Sequence, residues 1–85
     1  MHAVERSIRP GEWFMVDRGR KIAVLVTVTL GPKQTKLVRS VTYEMRSEDR
    51  ALIGYFPDMR TAAYVTWGEW VRATTKRPAQ SSSEN

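Results

Sequence analysis

The sequence predicts an α+β fold, an antiparallel meander of three or four strands with one C-terminal helix packed on one face. Three observations carry this expectation. The segment KIAVLVTVTL, residues 21–30, alternates over its whole length. A second β-rich run, TKLVRSVTYEMR, follows a Gly-Pro turn signal. Beyond Asp58, apolar and small residues recur at spacings of three and four. The first two patterns have the period of a strand, in which every second side chain shares a face, and the third has the period of a helix.

Taken in order, Met1 to Arg9 is mixed, and Pro10-Gly11 marks a turn. Residues 1–10 are therefore expected to be a flexible lead, residues 11–75 a single domain and residues 76–85 a polar, serine-rich disordered tail. Glu12 to Asp17 reads as a short strand of aromatic and β-branched residues, closed by Arg18-Gly19-Arg20 as a tight connection. Trp13 and Phe14 fall on opposite sides of it, which leaves one of them to face outward.

In residues 21–30, Ile22, Val24, Val26, Val28 and Leu30 form the expected core face, and Lys21, Ala23, Leu25, Thr27 and Thr29 the milder one. Gly31 to Gln34 turns the chain. The third strand sets Leu37, Val41, Tyr43 and Met45 together with Arg39 interrupting them, which calls for a bulge near Val38 or an edge position for Arg39. Ser47 to Arg50 is a polar loop, and Ala51 to Phe56 a further short strand.

Residues 58–74 admit two readings. As a helix, Asp58 is the N-cap, and Met59, Ala62, Ala63, Thr66, Trp67, Trp70 and Ala73 form one stripe. As a hairpin, Gly68-Glu69 is a two-residue turn between tryptophans, and the fold becomes a small all-β barrel. The unbroken stripe and its proper cap favour the helix.

The chain has 85 residues, no cysteine and a single histidine, His2. Eighty-five residues support one economical core, so self-association is a reasonable source of added stability and a homodimer is expected. Lack of cysteine excludes disulfides and thiolate metal sites and fits a cytoplasmic setting. The longest apolar-rich run, Ile22 to Leu30, is too short to span a bilayer, so no membrane partner is expected. No Ser/His/Asp or Cys/His set can be assembled and no glycine-rich phosphate loop is present, so neither an enzyme nor any cofactor or metal is expected. Glu48 and Asp49 sit beside Arg50 in a polar loop and read as turn residues.

Charge is the strongest functional signal. The net charge is +5. Residues 18–46 carry seven cations, Arg18, Arg20, Lys21, Lys33, Lys36, Arg39 and Arg46, against Glu44 alone, a local +6 that leaves −1 for the remainder. A concentrated basic segment points to a polyanion, and these seven residues are the candidate nucleic-acid-binding set, Arg39 and Arg46 being the candidates for base contact. Trp67 and Trp70 are alternatively stacking platforms for single strands or, at helical spacing beside alanines, core residues.

Ile53-Gly54-Tyr55-Phe56 followed by Ala62-Ala63 and Tyr64 resembles the plant ethylene-response-factor and integrase type of DNA-binding domain, over about residues 36–74. The resemblance implies a three-stranded antiparallel sheet on one helix, the alanine pair beneath the sheet, and the open sheet face in the major groove of DNA. Where that family alternates arginine and tryptophan, this chain has Thr27, Thr29, Lys36, Ser40, Thr42 and Arg46. The expected function is a small non-enzymatic module binding duplex DNA through a basic sheet face and hairpin loops. The alternative is a protein-interaction module that docks on a larger host through a sheet edge or exposed aromatics.

Overall fold

The structure is a computed structural model that describes the backbone of residues 2–83 and the side chains of residues 3–75. Five strands, β1 (His2–Arg6), β2 (Glu12–Asp17), β3 (Arg20–Leu30), β4 (Thr35–Thr42) and β5 (Leu52–Phe56), precede one helix, α1 (Met59–Ser83). The strands pair antiparallel in chain order as one open sheet, and α1 packs across one face. The fold is the α+β meander with a C-terminal helix, not a closed barrel, and residues 59–74 are helical, with Asp58 as the cap. The first residues differ from the expected flexible lead, because His2–Arg6 pairs with β2 as an edge strand. The helix also continues through Ser83, past the expected end near Thr74 and into the segment read as a tail.

The tight turns explain the strand order. Arg18 and Gly19, both at positive φ (54° and 78°), join β2 to β3 with a twist that matches the strands they connect. The β3–β4 connection closes with Gln34 N–H donating to Gly31 C=O at 3.0 Å.

The helix selects the other face of β3 from the one its alternation suggested. Met15, Ala23, Leu25, Val38 and Ala62 form the core beneath α1, with Trp13, Ile53, Phe56, Met59, Ala63, Trp67 and Trp70 packed around them. Val24, Val26 and Val28 lie on the opposite face, and Leu30 is 42% exposed. Of the expected set only Ile22 joins the core beneath α1, whereas Val24 is buried, at 1% exposure, on the opposite face. Met15 pairs with Ala23 but Val16 with Lys21, so Ile22 is an extra residue whose bulge brings it round beside Ala23.

Close approach decides the choice of face. Ser40 and Gly54 are cross-strand neighbours beneath the helix, and Ala62 and Thr66 descend onto this low floor. A Cβ on Gly54 would stand 2.9 Å from Phe56 Cζ, so the ring lies where a side chain would have been. Valines would hold the helix off.

The same geometry corrects the reading of β4. Arg39 pairs with Val26 on one side and Tyr55 on the other, so it sits within the sheet rather than at an edge. The bulge falls between Ser40 and Val41, not near Val38, and leaves Leu37, Arg39, Val41 and Tyr43 in simple alternation. Met45 lies outside the strand and is exposed.

Asp58 caps α1, its Oδ1 accepting from Thr61 N–H at 2.8 Å. That bond holds the carboxyl below its ordinary value of 3.8. Gly68 lies mid-helix, where glycine costs about 1 kcal/mol relative to alanine. No helix among the described residues is long and apolar enough to cross a membrane.

Two outcomes test this packing. Ser40 Oγ and Thr66 Oγ1 share a buried hydrogen bond of 2.6 Å. Ser40→Ala or Thr66→Val alone strands the partner hydroxyl and costs about 1–3 kcal/mol by urea denaturation, whereas the double variant recovers much of the loss. Asp58→Ala lowers Tm by about 5 °C at pH 7. Because the folded carboxyl titrates below the unfolded one, this stabilisation is complete above the ordinary aspartate value, and the Tm gap closes as pH falls through the lower folded value.

Candidate nucleic-acid interface

The face of the sheet opposite α1 is bordered by the β1–β2 connection and by the Met45–Arg50 segment, which line a depression with Phe14 and Lys21. The centre of the face is Val24, Val26 and Val28 of β3 beside Leu37, Arg39 and Val41 of β4, flanked by Phe14 of β2 and Tyr55 of β5. Val24 and Val41 are nonetheless buried, at 1% and 4% exposure, as is Val16. Part of the cover is a cluster at the end of the sheet near the β2–β3 turn. Phe14 and Tyr43 meet edge to face at 6.1 Å, and Lys21 Nζ lies 4.4 Å from the Phe14 centroid and 5.6 Å from that of Tyr43. The Arg50 guanidinium lies 4.9 Å from the Tyr43 ring while its Nε donates to Glu44 C=O. The aliphatic stems of such cations cover apolar surface and leave the charge in water.

The seven expected cations do not form one patch. Lys21 and Arg39 share the open face. Arg18 sits in the β2–β3 turn, and Arg20 leaves that turn toward the helix side, its guanidinium 5.4 Å from the Trp70 ring. Lys33 and Lys36 lie at the opposite end of the sheet, in and beside the β3–β4 turn. Arg46 lies beyond the end of β4 and is paired with neighbouring acids: Nη2 reaches Glu48 Oε2 at 2.7 Å and Nε lies 3.9 Å from Asp49 Oδ2. That bond holds the Glu48 carboxyl below its ordinary 4.5. Glu48 and Asp49 are thus turn residues in the short 3-10 segment Ser47–Asp49.

Other polar candidates are redistributed as well. Ser40, one of the residues standing where the family's readers would be, is buried under α1. Trp67 and Trp70 pack on the core as helix residues, and Trp70 Nε1 donates to Asp17 Oδ2 at 3.0 Å, tying the helix to the end of β2. Of Trp13 and Phe14, Trp13 packs with the core and Phe14 faces outward. Arg50 was missed from sequence because it lies beside two acids; only the fold sets it over Tyr43.

One feature of the pairing is absent from any single segment. β2 ends its partnership with β3 at Val26, and β5 ends its partnership with β4 at Val38. From Val28 to Leu37 the two strands have only each other. Three residue pairs and a turn project as a two-stranded arm of about 10 Å at strand rise. The arm carries Thr29, Lys33, Gln34, Thr35 and Lys36, all exposed, with Leu30 exposed near its tip.

No protein-family model, curated protein or solved structure matches the chain.

Replacing Tyr43 with leucine removes the edge-to-face contact and both cation–ring contacts, and is expected to cost about 1–2 kcal/mol in urea denaturation.

Proposed function

We propose that this protein is a non-enzymatic module that binds duplex DNA, the β3–β4 arm entering a groove and the open sheet face following the backbone. The reading rests on the charge of that hairpin. From Arg18 through Tyr43, both central strands and their turn included, there are six cations and no acid. A two-stranded ribbon fits the major groove, about 12 Å wide and 8.5 Å deep, and the arm has about that reach. Lys33 and Lys36 then lie at phosphates, and Gln34 and Thr35 near base edges. Arg39 at the root of the arm, with Lys21 and Arg50 beyond it on the same face, continues the positive track. The resemblance of the Ile53–Tyr64 segment to ethylene-response-factor and integrase domains supports the same reading, and a cysteine-free chain suits the cytoplasm.

A second reading, a protein-interaction module, draws on the apolar strip of Val26, Val28, Leu30 and Leu37 on the same face. Salt and mutation separate the two. Neutralising four phosphates gives a slope of about −3.6 in log K against log salt, a loss of about a hundredfold between 50 and 200 mM. Lys33→Ala with Lys36→Ala should reduce that slope by about 2 and weaken binding to all sequences alike, whereas Arg46→Ala should change little. Absence of any mobility shift with duplex DNA at about 50 mM salt, where such contacts are strongest, sinks the DNA reading and leaves the protein-interaction one.

A further inference from the structure

The helix face turned away from the sheet holds a second surface, independent of what the sheet binds. Gly68 lies opposite the core stripe of Met59, Ala62, Thr66 and Trp70, at the middle of the outer face. Nothing in the fold requires a glycine there: a Cβ at this position would meet no atom within 4 Å. Gly54, by contrast, has a ring over it. A glycine that weakens its own helix and makes no internal close contact leaves room for a backbone approaching from outside.

The surroundings fit such an approach. A shallow depression of about 560 Å³ is lined by Tyr64, Val65, Trp67, Gly68, Val71 and Arg72. Tyr64 is 77% exposed and Val71 37%. Apart from Trp67, the lining is symmetric about Gly68: Val65 and Val71 stand three residues to either side, Tyr64 and Arg72 four. Thr61 and Thr75 extend the pattern to seven residues on either side.

We propose that the protein forms a two-fold homodimer in which two α1 helices cross antiparallel at Gly68. A two-fold interface is self-complementary, so residue i meets j and j meets i. Crossing at Gly68 puts Val65 of one chain on Val71 of the other, and the Arg72 guanidinium on the Tyr64 ring, each contact made twice. Valine against valine buries apolar surface, and arginine over tyrosine is a favourable cation–π pair. A parallel crossing would put Arg72 on Arg72 and Tyr64 on Tyr64. Small residues at a crossing let two backbones come close, and antiparallel helices also oppose their dipoles favourably. Arg72 also pairs with Glu69 of its own helix at 2.7 Å through one guanidinium nitrogen, which leaves the planar face of the group for a ring. The surface is small, so the dimer is expected to be weak, with Kd in the micromolar range.

The absence of cysteine makes the geometry directly readable. Val65→Cys and Val71→Cys are prepared as separate chains and oxidised mildly, alone and mixed. The proposal expects disulfide-linked dimers chiefly in the mixture, with either variant alone cross-linking at least tenfold more slowly. Equal cross-linking of each variant with itself would show a parallel crossing and overturn it. Sedimentation equilibrium of the unaltered chain is expected to show a rise from one chain mass toward two with concentration. Gly68→Leu, which fills the crossing point without an internal clash, is expected to raise Kd at least tenfold while far-UV circular dichroism is maintained and Tm holds or rises, since leucine suits a helix better than glycine. A single-chain mass at every concentration up to about 1 mM, or a Gly68→Leu chain that dimerises like the parent, rejects the proposal. So does association that responds to sheet-face replacements such as Tyr55→Ala but not to Gly68→Leu.

Discussion

The organisation of this molecule depends on how close one helix comes to one sheet. Thr66 reaches Ser40 through a buried hydroxyl pair, over a stretch of sheet where Ala23 and Ser40 are small and Gly54 lies beneath the Phe56 ring. Once the helix is seated there, the rest follows. Trp67 and Trp70 fill the wider space toward the far end, and the Trp70 indole finds Asp17. The larger β-branched residues of β3 are directed to the other face. An 85-residue chain has few apolar residues to spend, and this arrangement uses small ones for contact and large ones for filling.

The consequence for the opposite face is unusual for a small domain. Valines that would be core in a two-layer packing are instead sheltered in part by aromatic rings and by the stems of Lys21 and Arg50. The Tyr43 end of the face therefore presents the charges of Lys21 and Arg50 above apolar carbon, while Glu12 stands across from Val26. Cations held by ring faces are partly ordered before anything binds, which lowers the entropic cost of using them.

Much of this was legible in the sequence, for reasons that differ by element. The strands at residues 12–17 and 21–30 and the capped helix from Asp58 were readable because each is set by local pattern and local hydrogen bonding. Which face of β3 meets the helix was not. Alternation identifies two faces but ranks them by hydrophobicity, whereas the helix ranked them by height. Ile22 crossed from one set to the other through a bulge that depends on β2. The candidate site was less legible still. The cations could be counted, but Arg46 is paired with local acids, Arg20 stacks on a helix residue 50 positions away, and Arg50 appears only where the chain returns beside Tyr43. The projecting arm depends on where β2 and β5 stop, which no residue within the arm encodes. Expectations about residues 1 and 84–85 lie outside the described residues.

The β3–β4 hairpin also brings the extremes of local stability into one element. Between Ala23 and Val26, β3 has a partner strand on each side, and Ala23, Val24 and Leu25 are almost completely buried. A few residues along, the same strand has one neighbour and no cover. Amide protons at its inner end are released only when the whole domain opens, and those near its tip when the ribbon frays. The strand is thus anchored at one end and compliant at the other, so the arm can bend toward a surface while the core that bears it stays still.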